Sequence, residues 1–271
     1  MGAERMAGKT VHPLETLRQY ATALEAAMTV TLAKPRQPAV HQLRTMVRRL
    51  EAQMELLEQL TALPVPSSDP SEAEDVRQRL RKLRRAAGTV RDLDVQRAML
   101  KTDSSLPRKS AAKLRERLKR VRGAKAKKLQ RVLTKQLPRV AGALEQMIRT
   151  LGTANGLFVP DLRLVPLVER WSRTKAESAP TGGLDDEQLH IKRKVAKSAR
   201  YMMESAIGSA AANRAAEHYR EEQNAGGLWH DWLDLKATSR KYFGKKHPLT
   251  QAAAAQCELA RAEYVKLLGQ T

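Results

Sequence analysis

Cysteine is nearly absent from this 271-residue chain. Cys257 stands alone, which excludes an internal disulfide framework and any thiolate cluster within one chain. Aromatic residues make up only 4%, and phenylalanine occurs just at Phe158 and Phe243. So few rings would leave a single-strand nucleic-acid binder short of stacking platforms. No apolar run approaches the roughly 18 residues of a membrane span, and residues 1–13 lack the apolar core of a signal peptide. Acids are outnumbered: 29 Asp and Glu face 50 Lys and Arg, a formal net charge of +21. Hydrophobic residues, at 42%, are too many for a disordered basic tail. A soluble cytoplasmic protein is expected, with residues 1–271 long enough to bury a core.

The positive surplus is local. Residues 77–139 hold 23 Lys and Arg against Asp92, Asp94, Asp103 and Glu116, which places +19 of the +21 in this stretch. Charge gathered in this way repels itself in the folded state, a cost that a bound polyanion would offset. Solubility alone calls for no such excess of one sign.

Apolar residues recur at three- and four-residue spacing, and no stretch sustains strand-like alternation, so the fold class is all-α. Breakers divide the chain. A helix is expected over 13–33, closed by Pro35 and Pro38, and a second over 39–63, closed by Pro64, Pro66 and Pro70. Ser71 with Glu74 three residues on reads as a capping box for the third. Gly88 is expected to close or interrupt that helix, with Asp92 capping a short one after it. A long helix follows from Pro107 toward Leu151, with Pro138 inside it expected to kink or split it. Past Gly152 and Gly156, helices are expected at 160–176, 185–210, 211–224, 229–243 and 248–268. Five segments on each side of a Gly-bearing joint suggest a duplication, with halves at about 11–152 and 157–268.

An internal repeat supports the duplication. His41, Arg44 and Arg48 in one helix match His190, Arg193 and Lys197 in another, at i, i+3 and i+7. Arg49 has Ser198 as its counterpart, so the two copies are unequal. Downstream, Gly88-x-x-Arg91-Asp92 matches Gly227-x-x-His230-Asp231. At about 100° per residue, Arg44 and Arg48 fall within about 60° of His41, while Leu43, Met46, Val47 and Leu50 gather opposite. The second helix repeats this with Arg193, Lys194, Lys197 and Tyr201 around His190, and Arg200 just beside them. Each helix thus buries one face and presents His and cations on the other.

Cations at i, i+3 and i+7 lie about 5–6 Å from one another and repel unless something negative runs along them. A linear polyanion fits such a row, because Arg can fork onto phosphate oxygens and His can donate to them. In the third helix Arg77, Arg81, Arg84 and Arg85 spread opposite Leu80 and Leu83, with Arg220 the counterpart of Arg81 in the second half. Lys113, Arg117 and Arg120 could extend the row along the long helix, and Tyr201 could offer its hydroxyl. Asp92 and Asp231 read as organisers that orient His or Arg.

These motifs resemble the CHAD family, named for its histidine-bearing α-helical domain. The resemblance covers most of the chain. It rests on His41-x-x-Arg44-x-x-x-Arg48-Arg49, Gly88-x-x-Arg91-Asp92-x-Asp94-Val95, His190-x-x-Arg193-x-x-x-Lys197-x-x-Arg200-Tyr201-x-x-Glu204 and Gly227-Leu228-Trp229-His230-Asp231. It implies two helical bundles related by a pseudo-twofold, with a basic groove or channel between them. It also implies binding of inorganic polyphosphate without catalysis and, for some members, association with storage granules. Some members carry a triphosphate-tunnel domain marked by Glu-x-Glu-x-Lys. Here Glu72-Ala73-Glu74-Asp75-Val76 comes nearest and lacks the Lys, so the chain resembles the binding module alone.

Rival chemistries are less well supplied. His12, His41, His190, His218, His230 and His247 include no metal-binding pair at i, i+4, and the cations beside His41 and His190 would repel a metal. No Gly-rich phosphate loop or nucleophile–base pair stands out, so neither a metal, a cofactor nor an enzymatic step is expected. Trp171, Trp229 and Trp232 fall on apolar helical faces and should fill the core. Weak, salt-sensitive nucleic-acid binding is expected of so basic a protein. A granule-coating role and a homodimer through the Ala-rich last helix (Ala252–Ala255, Ala260, Ala262) stay open.

Overall fold

A computed structural model describes residues 10–61, 70–152, 159–177, 184–206 and 209–269. Within them the chain forms eight helices: α1 (Pro13–Ala33), α2 (Gln37–Thr61), α3 (Pro70–Thr102), α4 (Arg108–Gly152), α5 (Asp161–Glu177), α6 (Asp186–Met203), α7 (Ala210–Phe243) and α8 (Pro248–Leu268). Two-residue strands β1 (Thr10–Val11) and β2 (Val159–Pro160) pair antiparallel, Thr10 with Pro160 and Val11 with Val159. The all-α class holds, and α1 and α8 have their expected bounds.

The sequence reading fails where it places breaks at glycine. α3 runs unbroken through Gly88, and Asp92 lies within it rather than at a cap. Likewise α7 runs unbroken through Gly226 and Gly227. An interior glycine costs about 1 kcal/mol relative to alanine. Each fully buried Leu contributes about 1.5–3 kcal/mol, and Leu80, Leu83, Ala87 and Val90 bury as one stripe across Gly88. Trp229, Trp232 and Leu235 do the same just past Gly227. Burial outweighs propensity, and four helices, not five, precede residues 153–158 and four follow among the described residues.

Pro138 does not split α4 either, because Leu133, Val140 and Leu144 are buried on both sides of it. The expected capping box is also displaced: α3 begins at Pro70, a residue suited to the first helical position, so Ser71 lies inside the first turn. By contrast α6 stops at Met203, and Ser209 caps α7 by accepting from the Ala212 amide at 3.2 Å. Asp185 caps α6 by accepting from the Gln188 amide at 2.8 Å.

Three apolar clusters hold these helices. The first is built by α1, α2, α3 and α4 around Leu43, Leu50, Leu80, Leu83 and Leu133. A second joins Ala52 and Leu56 of α2 to α5, α6 and the start of α7. The third joins Leu100 of α3 and Leu114 of α4 to Leu189 of α6 and to Trp229, Trp232 and Tyr264 of α7 and α8. α2 packs on α6 and α3 on α7, so the elements bearing the repeated motifs meet at the centre.

Candidate anion-binding site

The polar faces of α2 and α6 share one electrostatic neighbourhood. Arg48 of α2 feels Arg44 on its own helix, Arg84 of α3 and Arg193 of α6. Lys197 of α6 feels Arg193, Arg48, Arg44 and Arg200. Both histidines respond to Lys197: His41 also to Arg91 and Arg44, His190 also to Lys194, Arg193 and Arg48. The two sequence copies are therefore brought together.

Acids only partly balance them. Glu51 pairs with Arg84, whose Nε lies 3.4 Å away, and lies 4.0 Å from Arg48 Nη1. At one end, Arg49 donates through Nε and Nη2 to Glu204 at 3.2 and 3.0 Å, and Arg200 lies 3.5 Å from the same carboxylate. The Tyr201 ring is buried there, 5.8 Å from the Arg49 guanidinium and 4.4 Å from that of Arg200. At the other end, His190 stacks on His230 with centroids 5.0 Å apart, and His230 Nδ1 lies 3.4 Å from Asp234. Arg44, Arg91, Arg193, Lys194 and Lys197 have no carboxylate within 4.0 Å among the described residues. Among the described residues the buried Nε atoms of Arg48, Arg193 and Arg200 find no hydrogen-bond acceptor, which is uncommon for buried donors.

Titration follows from this crowding. Burial, then Arg193, Arg48, Arg44 and Arg200, lowers Lys197 to about 7. Burial and the neighbouring cations lower His190 to about 4 and His230 to about 3, so both rings are neutral at pH 7, each with one N–H donor. Arg48 falls to about 10, chiefly by burial. Burial raises Glu51, Asp92 and Asp231 against the pull of the cations, and raises Asp234 to about 6 with help from Asp92 and Asp231. An anion entering this region would favour the charged form of every cation named.

Two glycines make room for the arginines. A Cβ on Gly88 would sit 2.7 Å from Arg44 Nη1, and one on Gly226 would sit 3.0 Å from Arg193 Cγ and 2.8 Å from the Tyr264 ring. The sequence repeat pairs Gly88 with Gly227, yet a Cβ on Gly227 would meet nothing. The glycine serving Arg193 is Gly226, one residue earlier.

Other candidate residues lie elsewhere. Arg81 pairs with Glu74, and Arg220 with Glu217 at 2.6 Å. Arg85 faces a groove between α3 and α4. Lys113, Arg117 and Arg120 are exposed on α4, where the Arg117 guanidinium lies 4.2 Å over the Tyr242 ring. Asp92 lies in the field of Arg44, Arg193 and Arg91, and Asp231 in that of Arg193 and Arg91, whereas it is Asp234 that meets His230. Sequence reasoning misses Glu51 and Asp234, since acids near Arg on a helix are commonplace. His230 has a signal, its place in the repeat at the position of Arg91. Among the described residues no group of three or more His, Cys, Asp or Glu is placed to hold a metal ion, and no helix is long and apolar enough to cross a membrane.

The CHAD domain profile matches residues 15–238, which contain both His-x-x-Arg rows. This chain belongs to the CHAD family. Its fold is that of a solved CHAD structure, the crystal structure of the CHAD domain from the plant Ricinus communis, with a TM-score of 0.68. The two share 16% identity over 93% of this chain and 85% of the plant one, so the likeness speaks for the CHAD fold alone. No curated protein matches the sequence.

Proposed function

We propose that this CHAD protein binds inorganic polyphosphate, without a covalent step, in a basic groove between two repeated helical halves, 11–152 and 157–268. One observation carries the reading: among the described residues, Arg44, Arg193 and Lys197 converge from two elements with no carboxylate within 4.0 Å, beside buried arginine Nε donors with no acceptor. A linear chain of phosphates would supply the missing acceptors one after another. Arg48, Arg84, Arg91, Lys194 and Arg200 surround that path, and His41 and His190 would each donate one N–H. The CHAD membership agrees with this reading, as does Trp171, Trp229 and Trp232 being buried in the core rather than offered as base-stacking platforms. Cytoplasmic storage granules rich in polyphosphate are the setting in which such a module would act.

The test is a competition between polyphosphate and duplex DNA of equal charge, run on the parent and on the triple variant Arg44→Ala, Arg193→Ala, Lys197→Ala. Hydrogen bonds to charged groups are worth about 1.5–3 kcal/mol each, so the triple variant should lose at least about 100-fold in polyphosphate affinity. Its far-UV spectrum should be unchanged. Parent protein should prefer polyphosphate over DNA. Equal affinity for both polymers, or a triple variant that binds like the parent, would replace a shaped site with a merely sticky surface.

A further inference from the structure

A second group of unpaired cations lies outside the central cluster. Between α3 and α4 runs a groove of about 300 Å³, floored by Ala86 and Val132 and rimmed by Lys82, Arg85, Lys125 and Lys128. All four cations are exposed, and among the described residues none has a carboxylate within 4.0 Å. Their neighbours on α3 behave differently. Arg77 pairs with Glu58, Arg79 with Asp75, Arg81 with Glu74, Arg84 with Glu51 and Arg97 with Asp94. Lys82 and Arg85 thus escape a pattern of matching that covers most of their helix.

The α4 side is equally one-sided. From Glu116 to Glu145 the sequence contains no other acid, while Lys127 lies between Lys125 and Lys128, and Arg131, Lys135 and Arg139 continue the basic run past them. Arg84 turns toward Glu51 of α2, whereas Arg85 turns toward α4, so the body of α3 separates this groove from the central cluster. A helix with side chains is about 10–12 Å across. None of the four rim cations is among the main charges felt by Lys197, Arg48 or His190.

The geometry points to a second, independent phosphate-chain site in the α3/α4 groove, which makes one molecule able to bridge two polyphosphate chains. The inference rests on the polyphosphate reading of the central cluster. An extended anionic chain suits the groove better than a compact ligand, because the cations stand along two antiparallel helices rather than around a point. Two sites on opposite flanks of α3 turn a binder into a cross-linker, since a single-site protein can only bead along each chain.

Three variants test it, each checked for parental far-UV spectra: the groove variant Lys82→Ala, Arg85→Ala, Lys125→Ala, Lys128→Ala; the central triple variant above; and a charge-matched control, Arg240→Ala, Lys241→Ala, Lys245→Ala, Lys246→Ala. Light scattering is read on mixing with long-chain polyphosphate, and affinity by anisotropy with a short labelled chain. Parent and control should form large scattering assemblies. The groove variant should scatter at least about tenfold less while holding the short chain within threefold of the parent. Scattering at the parental level in the groove variant overturns the second site, and so does a groove variant that loses only duplex DNA binding. A groove variant that loses short-chain affinity while the central variant keeps it overturns both readings, leaving the groove as the sole site. A central variant that loses affinity while the groove variant scatters normally leaves the central reading standing and removes only this one.

Discussion

At the scale of single residues, the cluster depends on where glycine allows an arginine to lie. Gly88 and Gly226 occupy matching places beneath Arg44 and Arg193, but their surroundings differ. What crowds Gly88 is the free end of Arg44, while Gly226 is crowded by the Tyr264 ring and the stem of Arg193. Gly88→Ala should therefore leave the melting temperature unchanged or raise it, since alanine in a helix gains about 1 kcal/mol over glycine. It should still weaken polyphosphate binding, because the Arg44 guanidinium must move. Gly226→Ala should lower the melting temperature, as overpacking a buried position costs about 1–3 kcal/mol. Thermal unfolding and a binding titration on the two variants check the contrast; equal effects would mean that the glycines serve packing alone. The sequence shows glycine recurring but not its register, because Gly226 and Gly227 differ only in which side of α7 they face.

Among elements, α2 and α6 are joined at one end by Glu204, the residue just past α6, which accepts from Arg49 across the interface and lies 3.5 Å from Arg200 of α6. Like-charged faces meeting at the centre push these helices apart, and this carboxylate opposes that push. Glu204→Gln should cost about 1.5–3 kcal/mol in urea unfolding, the range for hydrogen bonds to charged groups. Adding Arg49→Met should recover part of the loss, since one unpaired cation is then removed. A double variant no better than the single one would place the effect in α6 alone. Helix identity was legible from apolar spacing nearly everywhere, and Pro13 and Pro248 marked two starts correctly. Continuity through Gly88, Pro138 and Gly226 was not, because it is decided by stripes of buried Leu, Val and Trp whose partners lie on other helices.

For the molecule as a whole, the sequence places the positive surplus in residues 77–139, yet the fold divides that stretch three ways. Some cations meet acids of α2, α3 or α4, some join the cluster built with α6, and most of the rest, the α3/α4 groove rim among them, stay exposed. No reading of one stretch separates these fates, since Glu51 and Glu58 reach Arg84 and Arg77 only after α2 and α3 pack. The consequence is a pH dependence with a definite sign. Lys197 titrates near 7 in the folded chain, against an ordinary value of 10.5. Between those values the unfolded chain binds a proton that the folded chain does not, so stability should rise as pH climbs from 7 toward 10. A tenfold difference in proton affinity between the two states is worth about 1.4 kcal/mol, so a gain of a few kcal/mol across the window is expected, and Lys197→Met should flatten it. Bound polyphosphate should keep Lys197 charged, so that binding at pH 8 takes up protons and weakens as pH rises further. Calorimetry in two buffers of different ionisation enthalpy measures that uptake directly. Binding without proton uptake at pH 8 would mean that the phosphate chain does not lie against Lys197, and the path through the cluster would have to be redrawn along Arg91 and Arg44.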